Sequence, residues 1–199
     1  MIVLVLALGG GFIAGLLAGG SFANLERLSL RLWWAAVGAL ALQLIAFSPL
    51  GAPLPAAAGV GMHLASYALL LAFVVANIRR PPVLCFGAGV AANTLCIAVN
   101  RGYMPAREAA LRLAGLPVSA TPHNNSILAG AGAHLAFLGD VFAVPHWLPL
   151  ANIFSVGDLL IGVGLAWLIA ETMRRGGAAA VRATLAEGPA SSGGTLSTD

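Results

Sequence analysis

Residues 59–99 read GVGMHLASYALLLAFVVAN, IRRPP and VLCFGAGVAANTLCIAV in succession. Each flanking run is close to the roughly 20 apolar residues that carry a helix across a bilayer. The insert between them holds Arg79, Arg80, Pro81 and Pro82, where proline stops one helix and charge marks a membrane boundary. The stretch predicts two spans, 59–77 and 83–99, joined by a short basic turn.

The rest of the chain follows the same composition. Of its 199 residues, 59% are hydrophobic and 9% charged, with a mean hydropathy of +0.92. Soluble domains carry about 25% charged residues, so an ordinary water-exposed domain is excluded. Further apolar runs at 2–19, 32–47 and 156–173 bring the expected number of spans to five. The predicted fold class is all-α: one membrane bundle over 1–175, then a disordered tail over 176–199 rich in small residues.

No basic residue precedes Ile2, so the first run reads as a retained helix rather than a cleaved signal. Its Ala7, Gly11, Gly15 and Gly19 recur every four residues and form a stripe that another helix can approach closely. Trp33 and Trp34 open the second span at the interfacial aromatic belt. Residues 100–149 hold most of the polar side chains outside the tail. Within them, Pro105–Gly115 predicts a short amphipathic helix with a Glu108–Arg112 pair at i,i+4. Residues 127–138 are apolar but too few to span, which suits a re-entrant or interfacial segment in a long outer connection.

Charge sets an orientation. All ten basic residues are arginine, and seven of them (Arg27, Arg31, Arg79, Arg80, Arg174, Arg175 and Arg182) follow the first, third and fifth spans. The positive-inside rule makes that side cytoplasmic, with the N-terminus outside and the C-terminus inside. A lysine-free chain rich in alanine, glycine and arginine suits a GC-rich bacterial genome, hence a bacterial cytoplasmic (inner) membrane. The expected partners are membrane lipids, together with other membrane helices or a second copy of the chain. The net charge of +3 sits at helix ends and is topological, so nucleic acid is not expected. Cys85 and Cys96 stand about 16 Å apart on one helix and cannot bond to each other. His123, His134 and His146 with Asp140 match no metal-ligand spacing, so neither a metal nor another cofactor is expected.

Ionisable groups at membrane depth are the default candidates for function. Asp140 and Asp158 flank Pro145 and Pro149, a connection able to fold back and bring the two carboxylates together. Such a pair shares a proton, one member acting as base toward water and the other as acid. The plainer reading of Asp158 is a helix cap. Ser155-x-x-Asp158 has capping-box spacing, and the helix dipole favours a carboxylate in the first turn. For Asp140 the plainer reading is a loop residue paired with Arg101, Arg107 or Arg112. Asn93 and Asn100 share one face of the fourth span beside Cys96. With Arg101, Asn152 and Ser155 they complete the expected lining of an outward-facing polar site. The usual role of such asparagines, as of Gln43 and Asn77, is hydrogen bonding between helices. His63, four residues before Tyr67, reads as an interfacial histidine.

The stretch Phe154-Ser155-Val156-Gly157-Asp158-Leu159-Leu160-Ile161 resembles the last active-site block of the bacterial lipoprotein signal peptidases. That block is Phe-Asn-x-Ala-Asp leading into the final transmembrane helix. Ser155 stands at the family's Asn and Gly157 at its Ala. Asp140, in Gly139-Asp140-Val141-Phe142, is similar to that family's upstream catalytic Asp. The resemblance implies a membrane aspartyl peptidase with Asp140 and Asp158 as its catalytic pair. The whole chain, with Asn100-Arg101-Gly102-Tyr103-Met104-Pro105, Leu138-Gly139-Asp140 and Asn152–Asp158, also resembles an uncharacterised family of small bacterial membrane proteins, a domain of unknown function. That likeness implies a fold and no reaction. The expectation is a multi-pass membrane protein that binds or scaffolds without catalysis, through the polar site or the glycine stripe. The alternative is a membrane aspartyl hydrolase or peptidase.

Overall fold

The computed structural model describes residues 2–46, 53–119, 126–130 and 132–186, with side chains up to residue 174 except that of residue 56. In chain order the elements are α1 (Ile2–Leu17), α2 (Trp33–Ala46), α3 (Ala56–Asn77), α4 (Pro81–Val99), β1 (Met104–Ala106), α5 (Glu108–Leu113), β2 (Ser126–Leu128), β3 (Asp140–Val144), β4 (Asn152–Ser155) and α6 (Val156–Ala186). Helix makes up 65% of the structure. A four-stranded sheet is present as well, so the all-α expectation is corrected.

Among the described residues, three stretches are long and apolar enough to cross a membrane: Ala57–Asn77, Pro81–Val99 and Val156–Arg174. The helices α1 and α2 are apolar but shorter, with 16 and 14 residues. At 1.5 Å per residue they reach only about 24 and 21 Å, less than the roughly 30 Å of a hydrocarbon core. The five predicted runs are therefore five apolar helices, of which three have spanning length. The last continues to Ala186, beyond the point where a tail was expected to begin. Alanine, the strongest helix former, recurs through 178–186.

Small residues set the packing. Ala7, Gly11 and Gly15 are buried on one side of α1, and α6 fills the space against them. A methyl group on Gly11 would stand 2.9 Å from both the Cα and the carbonyl oxygen of Ala166, closer than real atoms approach. The stripe is thus occupied by a helix of the same chain. Gly19 does not belong to it. At φ +75 it ends α1 in the left-handed conformation that glycine adopts without steric cost, and Gly20 N–H closes the turn on Gly15 O at 2.9 Å.

Hydrogen bonds then gather the chain reversals at one end. Asn24 Nδ2 donates to Met173 O at 2.6 Å, docking the 3-10 turn Phe22–Arg27 on α6. Asn77 accepts from Arg31 N–H at 2.9 Å and donates to Arg31 O at 2.7 Å, clasping the same connection to the end of α3. Arg27, Arg31, Arg79, Arg80 and Arg174 lie at this end. Between α2 and α3, Gln43 Nε2 donates to Ser66 Oγ at 3.0 Å, an interhelical bond of the expected kind.

The sheet covers the opposite end. Its order is β2-β1-β3-β4, with β1 parallel to β2 and β3, and β3 antiparallel to β4. Arg101 (φ 58) and Gly102 (φ 94) turn the chain from α4 into β1, whose three residues are all buried. Pro105 thus lies in a strand, and the helix predicted from it is only Glu108–Leu113. Within that helix the expected Glu108–Arg112 pair forms at 2.7 Å on an exposed face. Residues 127–138 supply part of β2 and a 3-10 turn at Ala136–Leu138. Gly130 and Gly132, then Leu135 at φ 51, deny this run a continuous helix. Tyr67, Val90, Cys96, Ile97 and Met104 form the buried cluster beneath the sheet.

The α1–α6 contact predicts a sharp positional contrast. Gly11→Val should destabilise the detergent-solubilised protein by about 1–3 kcal/mol, the usual cost of overpacking. Gly10→Val, at a position with open space around it, should stay within about 0.5 kcal/mol. Thermal unfolding of the two variants checks the helix face.

Candidate functional site

The close crossing of α4 and α6 decides where the polar groups meet. A methyl group on Gly89 would overlap Gly157 O, and one on Gly157 would overlap Asn93 Oδ1. Two glycines therefore let the helices touch along their backbones, and Asn93 comes to rest on the first turn of α6. Asn93 is fully buried there.

Around Asn93 the hydrogen bonds close on themselves. Asn93 Nδ2 donates to Asp158 Oδ1 at 2.8 Å, and Ser155 Oγ donates to Asn93 Oδ1 at 2.9 Å. Ser155 Oγ in turn accepts from Asp158 N–H at 3.0 Å, while Asp158 Oδ2 accepts from Ser155 N–H at 3.0 Å. The last two bonds are the reciprocal capping box expected from Ser155-x-x-Asp158. Asp158 thus caps its own helix with one oxygen and holds α4 with the other.

Asp140 joins from the sheet. It opens β3, stands opposite Ser155 in the β3–β4 ladder, and is 5% exposed. Its Oδ2 accepts from Ser126 Oγ at 2.9 Å across the sheet, and its carbonyl accepts Arg107 N–H at 3.0 Å. The arginine side chains expected to pair with it are engaged or placed elsewhere: Arg112 binds Glu108, and Arg101 and Arg107 are exposed. Burial first, and the nearby Asp158 charge second, push the Asp140 carboxyl up to about 7, although the Ser126 hydroxyl pulls the other way. The ladder pairing of Asp140 with Ser155, whose N–H the Asp158 carboxylate accepts, brings the two aspartates into one region, as the fold-back of 140–158 requires.

Of the residues singled out from sequence, Asn93, Asp140, Ser155 and Asp158 come together. Asn100 does not join them. It ends α4, where Nδ2 donates to His134 O at 2.7 Å and Oδ1 accepts His134 N–H at 2.9 Å, pinning the segment before the 3-10 turn. Arg101 is exposed in the left-handed turn. Asn152 pairs with Val144 at the far end of the hairpin, roughly 10 Å along the strand from Ser155. Two further residues belong to the site without having been anticipated. Tyr67 is buried with its hydroxyl within hydrogen-bonding reach of Asn93. His63, four residues earlier, is buried too, its ring 5.2 Å from that of Tyr67. Their i,i+4 spacing was the available signal. Ser126 gave none, because its role depends on strand pairing.

Cys85 and Cys96 are both free thiols. Among the described residues no three His, Cys, Asp or Glu side chains are placed to hold a metal ion. His123 lies outside the described residues.

A profile for a family of unknown function, DUF5317, matches residues 27–170. The chain belongs to the DUF5317 family. The matched region contains every residue of the polar site and leaves out α1. No curated protein and no solved structure matches this DUF5317 chain. The site therefore has to be read from its own chemistry.

Two measurements follow from that chemistry. Asn93→Leu strips Asp158 Oδ1 and Ser155 Oγ of a partner and should cost about 2–3 kcal/mol, as for a buried group bonded to a charge. Denaturation of the variant in detergent reads this directly. Asp140 gives a pH signature of definite sign. Its folded-state carboxyl titrates near 7 against 3.8 for the ordinary group, so the folded chain holds the proton more tightly. Its stabilising contribution is complete below the lower value and is lost as pH rises to the upper one. Asp140→Asn should flatten stability across that window.

Proposed function

We propose that this is a multi-pass membrane protein with a non-catalytic, outward-facing polar site that binds rather than cleaves. The apolar helices support the membrane reading, and the arginines gathered at one end support an orientation with the sheet outside and that end cytoplasmic. The observation that carries the non-catalytic reading is Asp158. Both its oxygens accept hydrogen bonds from groups of the fold itself. A general base must instead reach the proton it removes from a water or substrate. The cluster of Asn93, Ser155, Asp158, Asp140 and Tyr67 joins two helices to the sheet and gives the outer layer a fixed geometry on which a ligand can be held.

A membrane aspartyl hydrolase is the second reading, favoured by one observation: Asp140 is buried, raised toward neutrality and has a second carboxylate nearby. The two readings separate on Asp140→Asn and Asp158→Asn. If the site is structural, both variants lose stability or pH response and no hydrolysis of lipid-modified peptides is found in the parent protein. If it is a catalytic dyad, the parent cleaves such a substrate and each variant stays folded but inactive.

Orientation has its own test. In a background with Cys85 and Cys96 changed to alanine, a membrane-impermeant thiol reagent added to intact cells should label Val118→Cys and spare Ile78→Cys. The reverse pattern overturns the outward-facing site.

A further inference from the structure

The hairpin that delivers Ser155 to α6 ends in an apolar turn, Pro145-His146-Trp147-Leu148-Pro149-Leu150. Trp147 is 66% exposed, Leu148 48% and Leu150 61%. The turn is held in place by the rest of the layer. His146 N–H donates to Leu113 O at 2.9 Å, Leu148 N–H to Pro145 O at 3.0 Å, and the His146 ring meets Trp147 edge-on at 5.0 Å. A soluble loop tip with so much fixed apolar surface needs something apolar to cover it.

We propose that this turn is an interfacial membrane anchor, seating Trp147, Leu148 and Leu150 in the outer boundary of the same bilayer that α6 crosses. Three observations single out lipid. The tip is tethered through the four residues of β4 to the first residue of α6, so the chain leaves the turn about 13 Å from the helix's entry into the membrane. The whole stretch 141–157 contains no Asp, Glu, Lys or Arg, so nothing charged is dragged toward hydrocarbon. And the exposed set pairs an indole with aliphatic side chains. Indole, with an apolar body and one N–H donor, partitions to the headgroup level, while leucines reach the acyl boundary. The charges of the neighbouring helix α5, Glu108 and Arg112, satisfy each other on an exposed face.

This inference rests on the membrane-spanning reading, and the experiment keeps the two apart. Two single-tryptophan proteins are reconstituted in phosphatidylcholine vesicles, one retaining Trp147 and the other Trp167, with the remaining tryptophans changed to phenylalanine. Trp167 lies about 17 Å along α6 from its start and is the internal control for spanning. Lipids brominated near the top or near the end of the acyl chain serve as quenchers. The expected result is blue-shifted Trp147 emission that loses intensity mainly to the shallow bromines, with Trp167 quenched mainly by the deep ones. If Trp167 is quenched while Trp147 emits at the red end and responds only to aqueous iodide, the anchor is overturned and the spanning reading stands. If Trp147 is blue-shifted but insensitive to bromine at either depth, a protein surface covers the turn and the anchor is likewise overturned. If neither tryptophan responds to brominated lipid, the spanning reading itself fails.

Discussion

Gly157 has no side chain, and the Asn93 carboxamide occupies the space where one would stand. That single exchange of volume lets α4 reach the first turn of α6, and most of the outer layer depends on it. With the helices in contact, one asparagine donates to the capping carboxylate and accepts from the capping hydroxyl. Ser155 is simultaneously the last residue of β4 and opposite Asp140 in the ladder, so the orientation of α6 fixes the hairpin as well. An alanine at 157, the residue found at the matching place in the signal peptidase block, would push Asn93 away and open the node. The chain's departure from that motif thus has a physical reason.

The same geometry explains the electrostatics. Asp158 sits at a helix N-terminus and accepts from two protein donors. Asp140 has a serine hydroxyl, little solvent and a negative neighbour. Two similar side chains in one small region are given different environments, and that of Asp140 drives its carboxyl toward neutrality.

The helices were legible because an apolar run of bilayer length is a signal that needs no context, and the predicted runs fall within a few residues of the observed helices except at the end of α6, which continues to Ala186. What the runs did not carry was the rest of the outer layer. Strands of three to five residues have no period long enough to register, and β1 contains a proline that reads as a helix start. The capping box was visible because it is local in sequence. Asn93, Asp140 and Asp158 were visible as polar groups in apolar surroundings, but their meeting was set by glycines some distance away. Tyr67 and Ser126 enter only when α3 and β2 are in place. Asn152 and Arg101 were misplaced for a related reason: nearness in sequence to the site did not become nearness in space once β4 ran outward and the left-handed turn after α4 pointed away.

Between β4 and α6 there is no linker. Ser155 closes the strand and Val156 begins the helix, and the capping bonds lock the joint between them. Strand and helix therefore behave as one bent lever with its elbow at the node. A tilt imposed on the hairpin has no hinge in which to dissipate, so it becomes torque on α6. Along α6 that torque meets the glycine contact with α1 and then the Met173 carbonyl gripped by Asn24, where the helical arm of the lever is tied to the arginine-bearing end of the bundle.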